Sequence, residues 1–248
     1  MNINYLIQSE NKTLSDSHIQ VRDIFVNYPV LIDLLLKLPY FSGNLKKPNT
    51  NMGKFQLYCL ESYIQAPYTF RAIYILCEKG YYLESIILFR HLLEIFIQMR
   101  YFNKYPNKLE GHMIIKKDRI SFKTIFDEFS IGYYDKYYAT QFSEFAHGKK
   151  GKSLFRFEQI DSNKRIAIMG NYFNKVLASY IMSNVITLLY GYINFFEVFF
   201  PNNISRNHRP IMDELIEIKT RLQNFKDEHK KINPKSLEWH KHWDQLYF

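Results

Sequence analysis

The segment from Leu83 to Phe102 constrains the fold more than any other part of the chain. It reads LESIILFRHLLEIFIQMRYF and is apolar around nearly its whole circumference, yet it contains Arg90 and Glu94 four residues apart. A helix that is apolar on all sides is typical of the centre of a bundle. Charges placed there cost free energy unless they are paired, and residues i and i+4 are neighbours on a helix. The sequence therefore predicts a buried ion pair between Arg90 and Glu94.

Helical periodicity recurs along most of the 248 residues. It predicts an all-α fold, a single helical bundle of about seven to eight helices. The expected helices include 54–79, 83–105, 109–129 and 171–200, and a first helix that begins near Ser15 or Asp16, where a side chain can cap it. Between residues 153 and 168 apolar and polar residues alternate, which predicts one small β-hairpin.

No internal repeat or low-complexity linker divides the sequence, so a single helical domain over 1–248 is expected. Within it, residues 1–50 hold N-terminal helices and a loop, 53–200 the core bundle, and 206–248 a C-terminal amphipathic helix and tail. Residues 176–196 carry no charge and are long enough to span a membrane. Their Ser, Thr and Asn content favours a core helix instead, so membrane association is not expected.

The two cysteines, Cys59 and Cys77, lie in apolar runs with helical spacing. No Cys-x-x-Cys or Cys/His spacing typical of a zinc site occurs, so neither a disulfide framework, a metal site nor another cofactor is predicted. The first residues, MNINYLIQSENK, lack the basic and apolar regions of a signal peptide. Buried reduced thiols in a cytoplasmic protein are the simplest expectation.

Positive charge is concentrated in the middle of the chain. The formal net charge is +9, and residues 100–175 contain fifteen Lys and Arg against eight Asp and Glu. Such an excess is typical either of an ordinary basic surface or of one that faces a polyanion such as nucleic acid. The candidate nucleic-acid-binding residues lie at and around the expected hairpin: Lys149, Lys150, Lys152, Arg156, Lys164 and Arg165.

His147 ends an aromatic helical segment and is followed by Gly148. One interpretation is a cap, because a protonated histidine is stabilised at a helix C-terminus. The other is that His147 faces the Arg90 and Glu94 row and acts as a general acid or base. Arg90 would then bind an anion, and these three residues are the candidate catalytic set. Alternatively, the Arg90–Glu94 pair is structural and fixes the register of its helix.

Three segments of the chain resemble a known group of proteins. They are Ala72–Gly80, Glu84–Tyr101 with its Arg-x-Leu-Leu-Glu sequence, and Ser143–Gly148. Together they resemble an uncharacterised family of bacterial all-helical proteins, which is loosely similar to HEPN-type domains. Many HEPN-type domains are RNases of toxin–antitoxin and antiviral defence systems, so the resemblance implies a helical fold and that context. The HEPN nuclease motif, Arg-x4–6-His, is absent, so the resemblance implies no catalytic residue set.

Two hypotheses of function follow, and the sequence does not decide whether the protein is an enzyme. The first is a protein of a bacterial defence or toxin-type system that binds or acts on nucleic acid, with RNase-like activity. The second is a non-catalytic interaction module that forms a homo-oligomer or binds a protein partner through aromatic anchors. The candidate anchors are Tyr133, Tyr134, Tyr137, Tyr138, Trp239 and Trp243.

Overall fold

A computed structural model describes most of the helical part of the chain. The described residues are 3–20, 28–41, 53–114, 119–135, 138–139, 157–159, 165–167, 172–200 and the single positions 213, 216, 217 and 220. They include seven α-helices: α1 (Ile3–Gln20), α2 (Tyr28–Phe41), α3 (Lys54–Glu78), α4 (Tyr82–Lys104), α5 (Leu109–Ile114), α6 (Phe122–Asp127) and α7 (Lys175–Phe199). A short 3₁₀ turn, Pro106–Lys108, separates α4 from α5. The predicted all-α fold class is confirmed.

Two three-residue strands, β1 (Phe157–Gln159) and β2 (Arg165–Ala167), lie in the region of the predicted hairpin. They pair antiparallel, with Glu158 opposite Ile166. The rest of the expected 153–168 hairpin, including its turn, lies outside the described residues. The complete hairpin therefore stays a prediction.

The turn between α3 and α4 depends on Gly80. Its φ of 83° is a left-handed conformation that side chains with a Cβ rarely adopt. The amide of Gly80 donates to the carbonyl of Cys77, and that of Tyr81 donates to the carbonyl of Leu76. This is the hydrogen-bond pattern that ends a helix at a glycine. The helix expected over 54–79 therefore ends at this glycine, and α3 continues through Pro67 up to Glu78.

The predicted start of the first helix was wrong, because α1 begins at Ile3 and not near Ser15 or Asp16. The buried positions on α1 are polar: Thr13 and Ser17 are 2% and 0% exposed. Each hydroxyl donates to the carbonyl four residues earlier, at 2.9 Å. Apolar periodicity does not reveal such a helix, because hydrogen bonds rather than apolar burial secure its inner face.

The predicted helix over 109–129 was also wrong, because two short helices, α5 and α6, occupy this stretch. Ser121 has an extended backbone, and its side chain accepts a hydrogen bond from the amide of Thr124. A residue in this conformation starts a new helix and cannot continue a previous one. The capping serine therefore overrides the continuous apolar spacing of the sequence.

The chain divides into two compact units. The first comprises Met1–Pro29, Tyr68–Leu92 and Asp135–Ile186, and the second comprises Val30–Pro67, Leu93–Tyr134 and Thr187–Phe248. Each unit is assembled from three separate stretches of sequence. The organisation as a single domain, with the subdivisions expected at 1–50, 53–200 and 206–248, stays a prediction.

In the first unit, α1 is attached to the α3–α4 turn through charged and polar side chains. The carboxylate of Glu10 accepts hydrogen bonds from Tyr81 Oη at 2.6 Å and from Lys79 Nζ at 3.0 Å. These bonds, that from Tyr81 first, lower the pKa of Glu10 below its usual value of 4.5. Further along α1, Ser17 Oγ donates to the carbonyl of Glu78, whose carboxylate lies 2.8 Å from His18 Nε2.

The lowered pKa of Glu10 predicts an acid-sensitive attachment of α1. A carboxyl group whose pKa falls on folding stabilises the fold above its unfolded-state pKa, and that contribution disappears as the pH drops through the folded-state value. We expect Glu10→Gln to reduce the free energy of unfolding at pH 7 and to have a smaller effect near pH 3. Urea denaturation at both pH values measures the difference. The exposed Asp33 provides a control, since Asp33→Asn should change stability by less than about 0.5 kcal/mol. An equal effect of Glu10→Gln at both pH values would show that the ionised carboxylate of Glu10 does not stabilise the fold.

In the second unit, Tyr63 is the centre of an aromatic core. It is 0% exposed, and its hydroxyl donates to the carbonyl of Tyr192 at 2.5 Å. Its ring lies edge-on to four aromatic rings of α7 and the residue after it: Tyr192, Phe196, Phe199 and Phe200. Edge-to-face pairs at these distances stabilise a core beyond the area that they bury.

Both cysteines are free and buried, as predicted. Burial raises the pKa of each thiol well above its usual value, since the thiolate is disfavoured away from water. Neither Cys59 nor Cys77 is therefore a reactive nucleophile.

One helical segment in the described residues, Leu177–Phe199, is long and apolar enough to cross a membrane by length and composition. Within the protein, 67% of it is buried. A buried core helix meets the same criterion, so these properties alone give only weak evidence for a membrane span.

Candidate functional site

Arg90 contacts a buried tyrosine. Its Nε donates to Tyr138 Oη at 2.8 Å, and its guanidinium carbon lies 5.3 Å from the centre of the Tyr138 ring. Tyr138 is 1% exposed, whereas Arg90 is half-buried. The backbone at Tyr138 has π-helical geometry, a rare form that is frequent at functional sites. The contact fixes the arginine side chain against a buried residue of the first unit.

The expected deep burial of Arg90 and Glu94 was wrong, because both are half-buried. The buried positions of α4 include Ile86, Phe89 and Leu93, whereas Ile87, on the same side of the helix as Arg90 and Glu94, is 39% exposed. The ion pair itself stays a prediction. The expected proximity of this pair to His147 also stays a prediction, since His147 lies outside the described residues.

The predicted nucleic-acid-binding residues fall almost wholly outside the described residues. Those not described are Lys149, Lys150, Lys152, Arg156 and Lys164. Arg165 is the first residue of β2, where its backbone is paired with Gln159. The role of these side chains stays a prediction.

Two of the predicted aromatic anchors are wrong as surface residues. Tyr133 and Tyr138 are each 1% exposed. The ring of Tyr133 stacks on Phe126 at 5.7 Å, so it belongs to the core of the second unit. Helical spacing alone does not show which tyrosines of this run face inward. Tyr137, Trp239 and Trp243 lie outside the described residues.

A cluster of lysines and tyrosines at the end of α4 is the best-defined polar arrangement in the second unit. Lys108 Nζ donates to Tyr101 Oη at 3.1 Å and lies 4.5 Å from the centre of the Tyr105 ring. The rings of Tyr101 and Tyr105 are 4.9 Å apart. Lys104 Nζ lies 5.5 Å from the centre of the same Tyr105 ring. Both lysines are exposed, so their charges face solvent.

The two lysines of this basic cluster differ in what neutralises them. Lys104 forms an ion pair with Glu128, whose carboxylate also accepts a hydrogen bond from Tyr105 Oη at 3.0 Å. The hydrogen bond from Lys104, followed by that from Tyr105, lowers the pKa of Glu128. The same contact with Glu128 raises the pKa of Lys104.

Lys108 has neutral partners. Its hydrogen bond to Tyr101 raises the pKa of its ammonium group, so the side chain stays charged at neutral pH. Within the described residues no carboxylate lies within 4.0 Å of its Nζ. Lys108 is therefore an exposed, positioned cation that forms no ion pair among the described residues, and the charge of Glu128 acts on it only from a longer distance.

The sequence contained part of the signal for this basic cluster. Tyr101 with Tyr105, and Lys104 with Lys108, are each four residues apart, and this spacing places them close together along a helical stretch. The contribution of Glu128 depends on the packing of the segment after α6, which periodicity does not show.

A second cation in this unit lies between aromatic rings. The guanidinium carbon of Arg100 is 4.3 Å from the centre of the Phe129 ring and 4.5 Å from that of Phe195. Cation–aromatic contacts at this distance stabilise a charge that is partly withdrawn from water. Arg100 thus has a packing role in the second unit.

Metal ligation has no support in the part of the chain that the structure describes. There, no group of three or more His, Cys, Asp or Glu side chains is arranged to hold a metal ion.

The fold and these contacts define an all-helical protein with aromatic cores and an exposed basic cluster. The chain belongs to a family of unknown function, DUF5677, whose model matches residues 56–180. The match covers the whole of α4, with Arg90 and Glu94, and includes Lys108 and His147. No curated protein and no solved structure matches the chain.

Proposed function

We propose that this protein binds nucleic acid, and RNA in particular, with Lys108 contacting a backbone phosphate. The observation that supports the proposal is the position of Lys108 Nζ, held by Tyr101 Oη and the Tyr105 ring with no carboxylate within 4.0 Å among the described residues. Phosphate contacts from lysine supply most of the affinity of sequence-independent binding. A cation that forms no ion pair can make such a contact without first breaking one.

The charge of the chain supports the same proposal. The net charge is +9, with the excess between residues 100 and 175. The predicted hairpin lysines and arginines lie in this stretch, as does Lys108. Basic side chains spread over one stretch are typical of proteins that follow a phosphate backbone.

We expect Lys108→Ala to weaken RNA binding, because one phosphate contact is lost. Titration of a fluorescently labelled single-stranded RNA, followed by fluorescence anisotropy, measures the dissociation constant at several salt concentrations. The magnitude of the salt slope should fall by about 0.7, the value for one phosphate contact on a single strand.

Lys54 provides the matched control for Lys108. It is also an exposed lysine of the second unit, but its Nζ lies 2.8 Å from Glu110 Oε1 and its charge is already compensated. Lys54→Ala should leave the affinity for RNA nearly unchanged. Equal losses in the two variants would show that only total charge matters, and an unchanged Lys108→Ala variant would exclude this site.

The proposal extends to a cytoplasmic, HEPN-like protein of a bacterial defence or toxin-type system with RNase-like activity. Its support is the resemblance of the Arg-x-Leu-Leu-Glu and His-Gly segments. In this extension Arg90 binds phosphate, and Glu94 and His147 are the acid–base residues. Lys149, Lys150, Lys152, Arg156, Lys164 and Arg165 hold the RNA backbone.

A structural role for Arg90 is the second candidate, and its contact with Tyr138 favours it. A half-buried guanidinium that donates to a buried phenol joins α4 to the π-helical segment. In this alternative the protein is a non-catalytic interaction module, and Arg90 fixes the position of α4 within the first unit.

A further inference from the structure

The solvent-exposed side of α3 has the residue spacing of a helix–helix contact. Six exposed residues follow one another at alternating intervals of four and three along this single helix. They form what we call the α3 stripe: Leu57, Glu61, Ile64, Tyr68, Arg71 and Ile75. Its four large apolar side chains are 53%, 47%, 68% and 38% exposed, in chain order.

The five intervals average 3.6 residues, the repeat of a straight α-helix, and their alternation of four and three is also the pattern of a coiled-coil seam. Residues so spaced lie along one side of a helix, and the stripe therefore extends about 27 Å at 1.5 Å per residue. The opposite side of α3 already packs in the protein through buried residues that include Cys59, Tyr63 and Phe70. The helix thus has two apolar sides, of which the α3 stripe is exposed.

The stripe is symmetric about its midpoint at Ala66. Leu57 and Ile75 are equally distant from this residue, as are Glu61 and Arg71, and Ile64 and Tyr68. A two-fold interface uses the same surface on both partners, so that residue i of one copy contacts residue j of the other, and the reverse. An antiparallel pair of α3 helices centred on Ala66 therefore places apolar residues opposite apolar residues and Glu61 opposite Arg71, twice.

The two charged residues of the stripe have no ion pair or hydrogen bond within the part of the chain that the structure describes, and both are exposed. A second copy of the chain would provide both missing partners at once. In a parallel arrangement Glu61 would face Glu61 and Arg71 would face Arg71, which is repulsive. The charges therefore select the antiparallel orientation.

We propose that the α3 stripe is the interface of an antiparallel, two-fold homodimer, with Glu61 of each copy paired to Arg71 of the other. This proposal is independent of nucleic-acid binding. Apolar residues in a 4–3 repeat supply the contact area, and the charged pairs set its direction and register.

Charge exchange tests this dimer by sedimentation equilibrium of the full chain. The wild type should be a dimer at micromolar concentration. Glu61→Arg, or Arg71→Glu, turns both attractive pairs into repulsive ones, and each should raise the dissociation constant about tenfold or more. The double variant, which exchanges the two charges, should restore the wild-type dissociation constant to within about threefold.

Asp33→Arg is the control, because Asp33 is an exposed carboxylate on α2 and lies outside the stripe. It should leave the dissociation constant unchanged. A monomeric wild type would overturn the proposal, and the stripe would then be a surface for another protein. A dimer that is insensitive to both single variants, or one that the double variant fails to restore, would overturn it as well.

Discussion

Replacing Tyr63 with alanine is expected to lower the free energy of unfolding by about 3–5 kcal/mol, as for large aromatic side chains removed from a core. Tyr63 is 0% exposed and lies edge-on to four aromatic rings. Alanine leaves a cavity among these rings and removes the hydrogen bond to the carbonyl of Tyr192. Urea denaturation followed by circular dichroism measures the change.

Two further variants separate the contributions at Tyr63. Tyr63→Phe keeps the ring and removes only the hydroxyl, so we expect a loss of about 1 kcal/mol. Ile131 is 86% exposed, and Ile131→Ala should change stability by less than about 0.5 kcal/mol. A loss below about 1 kcal/mol for Tyr63→Ala would contradict the assignment of Tyr63 to the centre of this core.

The second large effect concerns His147 and follows from the RNase-like part of the proposed function. A general acid or base contributes about 10²–10⁴-fold to a rate. We therefore expect His147→Ala to reduce RNA cleavage by that factor and to leave the melting temperature nearly unchanged. Cleavage of a fluorescent RNA and thermal denaturation of the same preparations are the measurements.

His91 is the control for His147, because it is an exposed histidine next to Arg90 on α4. His91→Ala should cleave RNA at the wild-type rate. If His147→Ala melts much earlier than the wild type, His147 is a helix cap rather than a catalytic residue. If the wild type does not cleave RNA, the RNase-like part of the proposal is excluded. RNA binding is tested separately by the anisotropy titrations.

Long helices with strong apolar spacing were predicted well from the sequence. α3, α4 and α7 agree with the expected ranges to within a few residues, because each has a buried apolar face and a clear stop. Gly80, with its positive φ, is such a stop. The start of α1 and the break between α5 and α6 were predicted wrongly, because local polar hydrogen bonds determine both. Examples are the bond made by the buried Ser17 in α1 and the cap formed by Ser121.

The candidate site was harder to predict than the fold. The sequence singled out Arg90, but its contact with Tyr138 joins residues 48 positions apart, and periodicity gives no information on such contacts. Lys108 does not stand out in the sequence, because it is an isolated lysine and the basic run lies at residues 149–152. The absence of an ion pair at Lys108 among the described residues depends on tertiary packing, which pairs Glu128 with Lys104. The α3 stripe could have been read from the 4–3 spacing, but only the structure shows that this side of α3 is exposed.

The salt dependence of RNA binding by the wild-type chain tests the proposed function most directly. Anisotropy titrations with a labelled single-stranded RNA at about 50 and 200 mM salt give the two dissociation constants. Binding through backbone phosphates predicts measurable affinity at the lower concentration and a loss of about tenfold or more at the higher one. No binding at the lower salt concentration, or an affinity that salt leaves unchanged, would contradict nucleic-acid binding by this protein.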